Sequence, residues 1–528
     1  MKHILFSFFA FFALTTISGQ SSGKLDLSFG DNGILQLNIC TWDAASGVAV
    51  QPDGKIVAVG YSEENEASEM LIVRILPDGS PDVDFGTDGI TVIKISQTTN
   101  EATAVALQPD GKILIGGYTR SQGETWSENV ALVRLGSDGK PDSTFSGDGI
   151  VTASYTSRDR IYAIGVLPDG KIVAAGNAKY GGGPSYFLLC RFLPDGNPDP
   201  DFGGTGTGAV VIPIGTVYDV CSSMAIQSDG KIILAGSTVK SNGWPDVALL
   251  RFNPDGTLDG TFGTGGKVTT PFGSTADVGL KTVLQPDGKI LVSGYSYNTL
   301  KKSELAVFRY LPNGLLDTQF GRTGKIRSKI GNIYSSGESM SLRPDGKILV
   351  AGCALDSTKG MDFAMKQFNP DGTVDGSFGT NGIVTTNMND YSDGIADVVF
   401  LDDGRIVAGG ATFDAVAGST DMVLAKYLTD LYVGVIDAPQ SLMFPWIYPN
   451  PVSSAAFSVK YQLRDPSGVI IELYDANGRS LTTLQKGDRG AGEQTEELQL
   501  PDDINNGTYL LNIRTGKGNA CIKLVIQR

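Results

Sequence analysis

The chain has 528 residues, too many for one ordinary domain and enough for one large repeat fold plus a small module. Its formal net charge of -15 argues against broad binding to nucleic acid or anionic membranes, which needs a positive field. The single histidine, His3, falls within a leader-like start, so a mature chain without it excludes Ser-His-Asp chemistry and His-ligated metals.

Residues 1–20, MKHILFSFFAFFALTTISGQ, combine a short basic start, an apolar run from Ile4 to Ala13 and small polar residues near Ser18 and Gly19. That pattern predicts a secretory signal peptide removed near Gln20. No later segment is long and apolar enough for a membrane-spanning helix.

From residue 21 to 430 an internal repeat governs the sequence. QPDGKIVAVG from Gln51 returns from Gln108, Leu167, Gln227, Gln285, Arg343 and Leu401. Its turn glycines, Gly54, Gly111, Gly170, Gly230, Gly288, Gly346 and Gly404, are spaced by 57, 59, 60, 58, 58 and 58 residues. A second signature, P-D-G-x-x-D-x-x-F-G, lies between them and supplies Phe85, Phe145, Phe202, Phe262, Phe320 and Phe378. The sequence SSGKLDLSFG gives it a seventh member at Phe29.

Each unit reads as four short β-branched strands joined by turns. Proline fixes φ, aspartate bonds back to the backbone and glycine accepts positive φ. No capped 3.6-residue pattern marks a crossover helix. The predicted fold is therefore all-β: a seven-bladed β-propeller of four-stranded antiparallel blades. The first unit starts with a fourth strand, GILQLNI from Gly33, whereas the seventh ends after its third, MVLAKYL from Met422. Closure is expected through residues 33–39 completing the blade of residues 395–428, which leaves no open edge at the join.

Five units place arginine at one position of the third strand: Arg74, Arg134, Arg191, Arg251 and Arg309. Gln367 and Lys426 replace it in the last two. Pairing with turn aspartates of a nearby blade is expected, since a buried guanidinium needs such partners. The cysteines are Cys40, Cys190, Cys221, Cys353 and Cys521. Export would permit a Cys190–Cys221 disulfide, and buried free thiols are the other reading.

The PDG turns share one face of the ring, and the opposite face carries loops of varied length and composition. On that variable face Trp126, Tyr180, Tyr186, Trp244 and Tyr297 are candidate ligand contacts, or covers for the outer blade edges. Eleven residues before the turn glycines stand Asp43, Asn100, Asp159, Asp219, Asp277, Ser335 and Asp393. Asx-type turn capping explains such a set. The alternative is an electronegative mouth in which Asp43, Asp159, Asp219, Asp277 and Asp393 attract Ca²⁺ or a basic ligand. A carboxylate pair such as Asp159 and Asp219 is the arrangement a glycoside hydrolase would need. No P-loop, dinucleotide fingerprint or zinc spacing is present.

Residues 431–446 read as a linker, and 447–528 as a small β-sandwich with Asn-Gly and Gly-rich turns. Within it stand Tyr448-Pro449-Asn450-Pro451, Leu473-Tyr474-Asp475 with Asn477-Gly478-Arg479, Gly507-Thr508-Tyr509-Leu510 and Lys523-Leu524-Val525. These resemble the type IX secretion C-terminal sorting domain (the Por secretion tail) of Bacteroidetes. The resemblance implies Sec export, the type IX machinery as partner, and an extracellular or surface-attached product. The repeats resemble the delta-60 β-propeller repeats of bacterial secreted proteins, a resemblance that transfers no catalytic residues to this sequence. The functional expectation is a non-enzymatic binding or adhesion propeller contacting a glycan, protein or peptide through its variable face. The alternatives are a secreted polysaccharide hydrolase or lyase using mouth carboxylates, and a structural spacer.

Overall fold

A computed structural model describes residues 22–528, except 121–126, 216, 240–242, 274–275, 301, 357–359, 389–391, 402, 415–416, 431–441, 449–451, 453–454, 464, 476–479, 502–503, 516–517 and 527–528. The expected signal peptide and Trp126 lie outside the described residues.

Seven antiparallel blades follow in chain order. Blade five is representative, with strands Asp277–Leu284, Ile290–Tyr297, Ser303–Tyr310 and Lys325–Ser328. The second and third strands are buried on both sides, which is why they read as unbroken apolar runs such as ILVSG and LAVF. Apolar clusters form between successive blades. Ile233, Leu249 and Phe262 of blade four pack on Ile290, Val292 and Phe308 of blade five.

The repeat signatures build the joints between blades. Arg251 Nε donates to Asp259 Oδ2 at 2.8 Å, eight residues on in its own blade. Its Nη1 donates to the Pro312 carbonyl in the PDG turn of blade five, and its guanidinium lies 4.6 Å over the Phe262 ring. The expected aspartate partner therefore sits in the same blade, and the neighbouring blade contributes a carbonyl. Lys231, from the QSDGK turn, reaches the same Asp259 oxygen at 3.1 Å. Gly263 N–H then donates to the Asn313 carbonyl of blade five at 2.9 Å. Gly256 closes the motif on its other side. A Cβ there, at φ +88°, would fall 2.8 Å from Gly203 N and 2.9 Å from the Phe202 ring. Glycine alone lets the preceding blade's Phe-Gly turn seat there.

The same joint recurs where the chain's two ends meet. Ile34–Leu37 pairs antiparallel with Ser419–Tyr427, Ile34 facing Ala425 and Leu37 facing Met422. Asp26 N–H donates to the Lys426 carbonyl and Lys426 N–H to the Gly33 carbonyl, as Asp82 and Arg74 do within blade one. Gly379 of blade six donates to the Ser22 carbonyl, and Gly30 donates to the Asp78 carbonyl of blade one. Lys426 takes the arginine position: its Nζ donates to the Pro77 carbonyl at 2.8 Å and lies 5.4 Å from the Phe29 centroid. Residues 33–39 were expected to close the ring; the closing segment extends back to Ser22.

A second stitch runs along the channel. The inner strand resumes after its bulge at Ser223 in blade four and Asp397 in blade seven, and after its break at Ser339 in blade six. Ser223 Oγ accepts from Thr282 N–H at 3.0 Å, Ser339 Oγ from Val398 N–H at 3.2 Å, and Asp397 Oδ2 from Val48 N–H at 3.1 Å. Asp397 also receives Lys281 Nζ at 2.8 Å and Ser339 Oγ at 2.6 Å, joining blades five, six, seven and one.

The C-terminal domain has a three-stranded sheet, Leu442–Tyr448, Ala456–Leu463 and Gly492–Gln499. Its four-stranded sheet is Ser480–Arg489, Ser467–Asp475, Gly507–Thr515 and Gly518–Ile526. Val459, Tyr461, Ile471, Leu473, Ile513 and Leu524 form its core. The sheet begins at Leu442, inside the segment that reads as linker. Cys40, Cys190, Cys221 and Cys353 are free, with Cys190 and Cys221 buried in neighbouring blades.

Arg251→Ala removes one of the two cations on a buried carboxylate and leaves a turn carbonyl unpaired, so it is expected to lower unfolding stability by about 3 kcal/mol in urea titration. The joints also carry a pH signature. At Asp259 the Thr261 hydroxyl, against the opposing effect of burial, and then Thr261 N–H, Lys231 and Arg251 hold the carboxyl well below its usual range. A folded-state pKa below the unfolded value of about 3.9 gives stability that is complete above that pH and lost as pH falls towards the folded value. Unfolding titrations should show this loss below about pH 4, and Asp259→Asn should flatten it.

Candidate functional site

The variable-loop face is built by the starts of the inner strands, the ends of the second strands and the loops after them. The seven positions of the aspartate series all lie at this face as buried turn caps. Asp219 Oδ2 accepts Ile214 N–H at 2.8 Å, and its Oδ1 accepts the Thr238 hydroxyl at 2.6 Å. Asp277 accepts Phe272 N–H and the Ser296 hydroxyl, each at 2.6 Å. Asp393 accepts Met388 N–H at 2.8 Å and the Thr412 hydroxyl at 2.5 Å. Asp159 accepts two backbone N–H groups and the Thr156 hydroxyl, while Asp43 accepts Ile39 and Cys40 N–H.

Neutral Asn100 does the same through Ser96 N–H and the Thr119 hydroxyl at 2.8 Å each, and Ser335 accepts Gly331 N–H at 3.0 Å. The position requires an acceptor for backbone N–H groups and does not require charge. Burial pushes the Asp159, Asp277 and Asp393 carboxyls up. Each of the five aspartates serves its own turn. Among the described residues no group of three or more His, Cys, Asp or Glu side chains could hold a metal.

A different cluster occupies the mouth between blades two and three. Arg158 and Arg160 sit two residues apart on the inner strand Arg158–Val166, so they share one strand face. Both grip Glu128, which lies just before the third strand of blade two. Arg158 donates from Nη2 at 2.8 Å and Nε at 3.1 Å, and Arg160 from Nε at 2.5 Å and Nη2 at 2.8 Å. Burial alone would raise the Glu128 carboxyl, but Arg160 and then Arg158 hold it at about 2.

Arg160 also lies 4.3 Å over the Tyr118 ring, and the Tyr118 hydroxyl donates to Glu101, its cross-strand partner. Burial raises Glu101, outweighing the Tyr118 bond and the Arg160 charge. Tyr162, thrown out of register by the bulge between Ile161 and Ala163, lies within electrostatic reach of Arg160 and of Tyr218 of blade four. The arrangement offers a forked cation, a half-buried carboxyl raised by burial and several phenol rings within one region.

The aromatic candidates are spread over the face. Tyr180 is 54% exposed and Trp244 48% exposed, and the Tyr180 ring lies 6.2 Å from Tyr186. Tyr297 is half-buried, with its ring edge against Tyr295. Glu101, Tyr118, Glu128, Arg158 and Arg160 escaped the sequence reading. Their signal is departure from the repeat: the position after the aspartate series is charged only in blades two and three, as Glu101 and Arg160, where the other blades carry alanine, valine, serine or glycine.

Seven matches to the family model described as "Domain of unknown function (DUF5122) beta-propeller" cover residues 51–85, 108–145, 167–202, 227–262, 285–320, 343–378 and 401–431. A "Secretion system C-terminal sorting domain" model matches residues 446–527. The chain is a DUF5122 β-propeller with a C-terminal sorting domain. That domain makes it cargo of the type IX secretion machinery, delivered to the cell surface or extracellular space.

No curated protein matches this propeller. Among solved structures it is similar to the polysaccharide lyase Uly1, at 10% identity and TM-score 0.41, covering 79% of this chain and 94% of that one. An ulvan lyase bound to -[GlcA(1-4)Rha3S]- matches at 12% identity and TM-score 0.40, covering 76% and 95%. A glucose dehydrogenase matches at 10% and 0.33, covering 74% and 99%. Likeness this low transfers neither activity nor site residues.

The cap role of the aspartates separates two substitutions. Asp159→Ala is expected to lower stability by about 1–2 kcal/mol, and Asp159→Asn by much less, both unaffected by Ca²⁺ in thermal unfolding. A cation-holding ring would instead show Ca²⁺-dependent stabilisation that Asp159→Asn weakens.

Proposed function

We propose that this secreted propeller binds an extracellular polysaccharide bearing carboxylate or sulfate groups at the channel mouth of blades two to four. The observation that carries the reading is the sharing of one carboxylate, Glu128, by Arg158 and Arg160. The two guanidiniums outweigh Glu128 itself and partly offset the nearby Glu101 and Glu63, so the cluster concentrates cationic groups within a chain of net charge -15. Guanidinium edges are the side-chain groups best shaped for planar acids. Tyr162 and the 43% exposed Tyr218 supply rigid faces for sugar rings beside them. Tyr118 is a positioning residue: it is buried, supports Arg160 on its ring and fixes Glu101 through its hydroxyl.

One observation favours cleavage as a second reading. Glu101 is raised by burial, the condition a general acid needs, and the Glu63 carboxylate acts on it from blade one. Binding and cleavage separate in a single variant, because Glu101→Gln should abolish any turnover while leaving most of the affinity.

The binding reading predicts that polyuronate or sulfated gels retard the mature protein in affinity electrophoresis and that neutral glucans do not. The Arg158→Ala/Arg160→Ala double variant should lose at least about tenfold in affinity, as expected for removing charge-assisted contacts. Equal retardation by neutral and acidic gels, or an unchanged double variant, would overturn it.

A further inference from the structure

Blade six departs from the other blades at its innermost strand. The others bend this strand with a one-residue bulge, whereas blade six breaks it into Tyr334–Ser335 and Ser339–Leu342. The break is anchored to blade five, since Gly337 N–H donates to the Gly294 carbonyl at 3.1 Å. A Cβ at residue 337 would stand 2.6 Å from Val350 Cγ1 and 3.2 Å from that carbonyl, so the contact needs glycine.

This anchoring sets Tyr334 and Glu338 against the second strand of blade five, Ile290–Tyr297, which carries Tyr295 and Tyr297 two residues apart. The Tyr295 and Tyr297 centroids are 5.8 Å apart with planes at 85°, and those of Tyr295 and Tyr334 are 6.3 Å apart at 49°. All three rings and Glu338 are half-buried. Glu338 directly follows the Gly337 anchor, and Gly294, which receives that anchor, directly precedes Tyr295, so Glu338 is held next to the ring-bearing strand.

We infer that this corner between blades five and six is a binding site for a small alkylammonium cation. Three inclined rings next to one carboxyl make poor stacking ground for a flat sugar. They suit a cation, which the ring faces attract and the carboxylate neutralises. A neighbouring guanidinium, Arg327, donates to the Tyr297 carbonyl at 3.3 Å. It is occupied by the Phe272 ring at 4.6 Å and by Glu304 at 3.9 Å. The site shares no residue with the cluster of blades two and three and stands independently of the polysaccharide reading.

The test is calorimetric titration of the mature full-length protein with choline and with its neutral isostere 3,3-dimethylbutan-1-ol. A parallel titration uses Nε-trimethyl-lysine amide, the other common carrier of the group. Saturable binding of either cation, with the isostere at least about tenfold weaker, is expected from the cation–π term. Glu338→Gln and Tyr295→Leu should each reduce cation affinity about tenfold, and Tyr334→Phe should retain it. Thermal unfolding of each variant reports whether the blade is intact. No binding of either cation, or equal binding of choline and the isostere, overturns the proposal whatever the variants do.

Discussion

The structure depends on one repeated contact, a backbone N–H after the Phe-Gly turn donating to a carbonyl in the PDG turn of the following blade. Around it the arginine, its aspartate and the turn lysine form a buried charged cluster resting on phenylalanine. A sheet four strands wide cannot bury its two faces alone, so each blade is stable only when both neighbours are docked. The hydrogen bond fixes how far each blade can slide or rotate against the next. The charged cluster makes any other seating costly, because a displaced neighbour would take away the carbonyl that the guanidinium bonds in a dry interface.

This logic makes the join between the first and last blades decisive. Residues 22–37 supply the outer strand of blade seven together with the signature aspartate, phenylalanine and glycine that its neighbours expect. Gly379 to Ser22 and Gly30 to Asp78 reproduce the ordinary joint on either side of the chain break. The two joints touching this segment are also the two that lack arginine. Lys426, fully buried, is driven down to about 8, chiefly by burial and then by Arg405. A compact ammonium replaces the planar fork there; it keeps the carbonyl and ring contacts and a longer ion pair, 3.9 Å, to Asp26, which Arg405 holds at 2.7 Å.

Most of the fold was legible because it is written seven times. The turns, the four-strand unit and the closing strand at Gly33 all follow from spacing and residue type. The partner of the recurring arginine was misassigned because i to i+8 pairing depends on how the chain folds back after the third strand, which spacing alone does not reveal. The site was legible only in outline. The variable face stood out by contrast with the PDG face, but Glu101, Glu128 and Arg160 converge from different strands of two blades, and no local pattern joins them. The aspartate series was visible because it repeats, and repetition marked it as part of the scaffold. Non-repeating residues on the same face form the clusters suited to recognition, where uniform turns hold the ring and irregular positions are free to specialise.

The claim on which the account rests is that the N-terminal segment is a full member of the ring. Native-state hydrogen exchange of the Leu35 and Leu37 amides, which face Ser419–Tyr427 in the register of the pair, tests it most directly. The account predicts that they exchange only with the subglobal opening that also releases Val423 and Leu424, with protection far above that of a frayed terminus. Exchange of Leu35 and Leu37 at the rate of an unstructured chain, while Val423 and Leu424 stay protected, would contradict it.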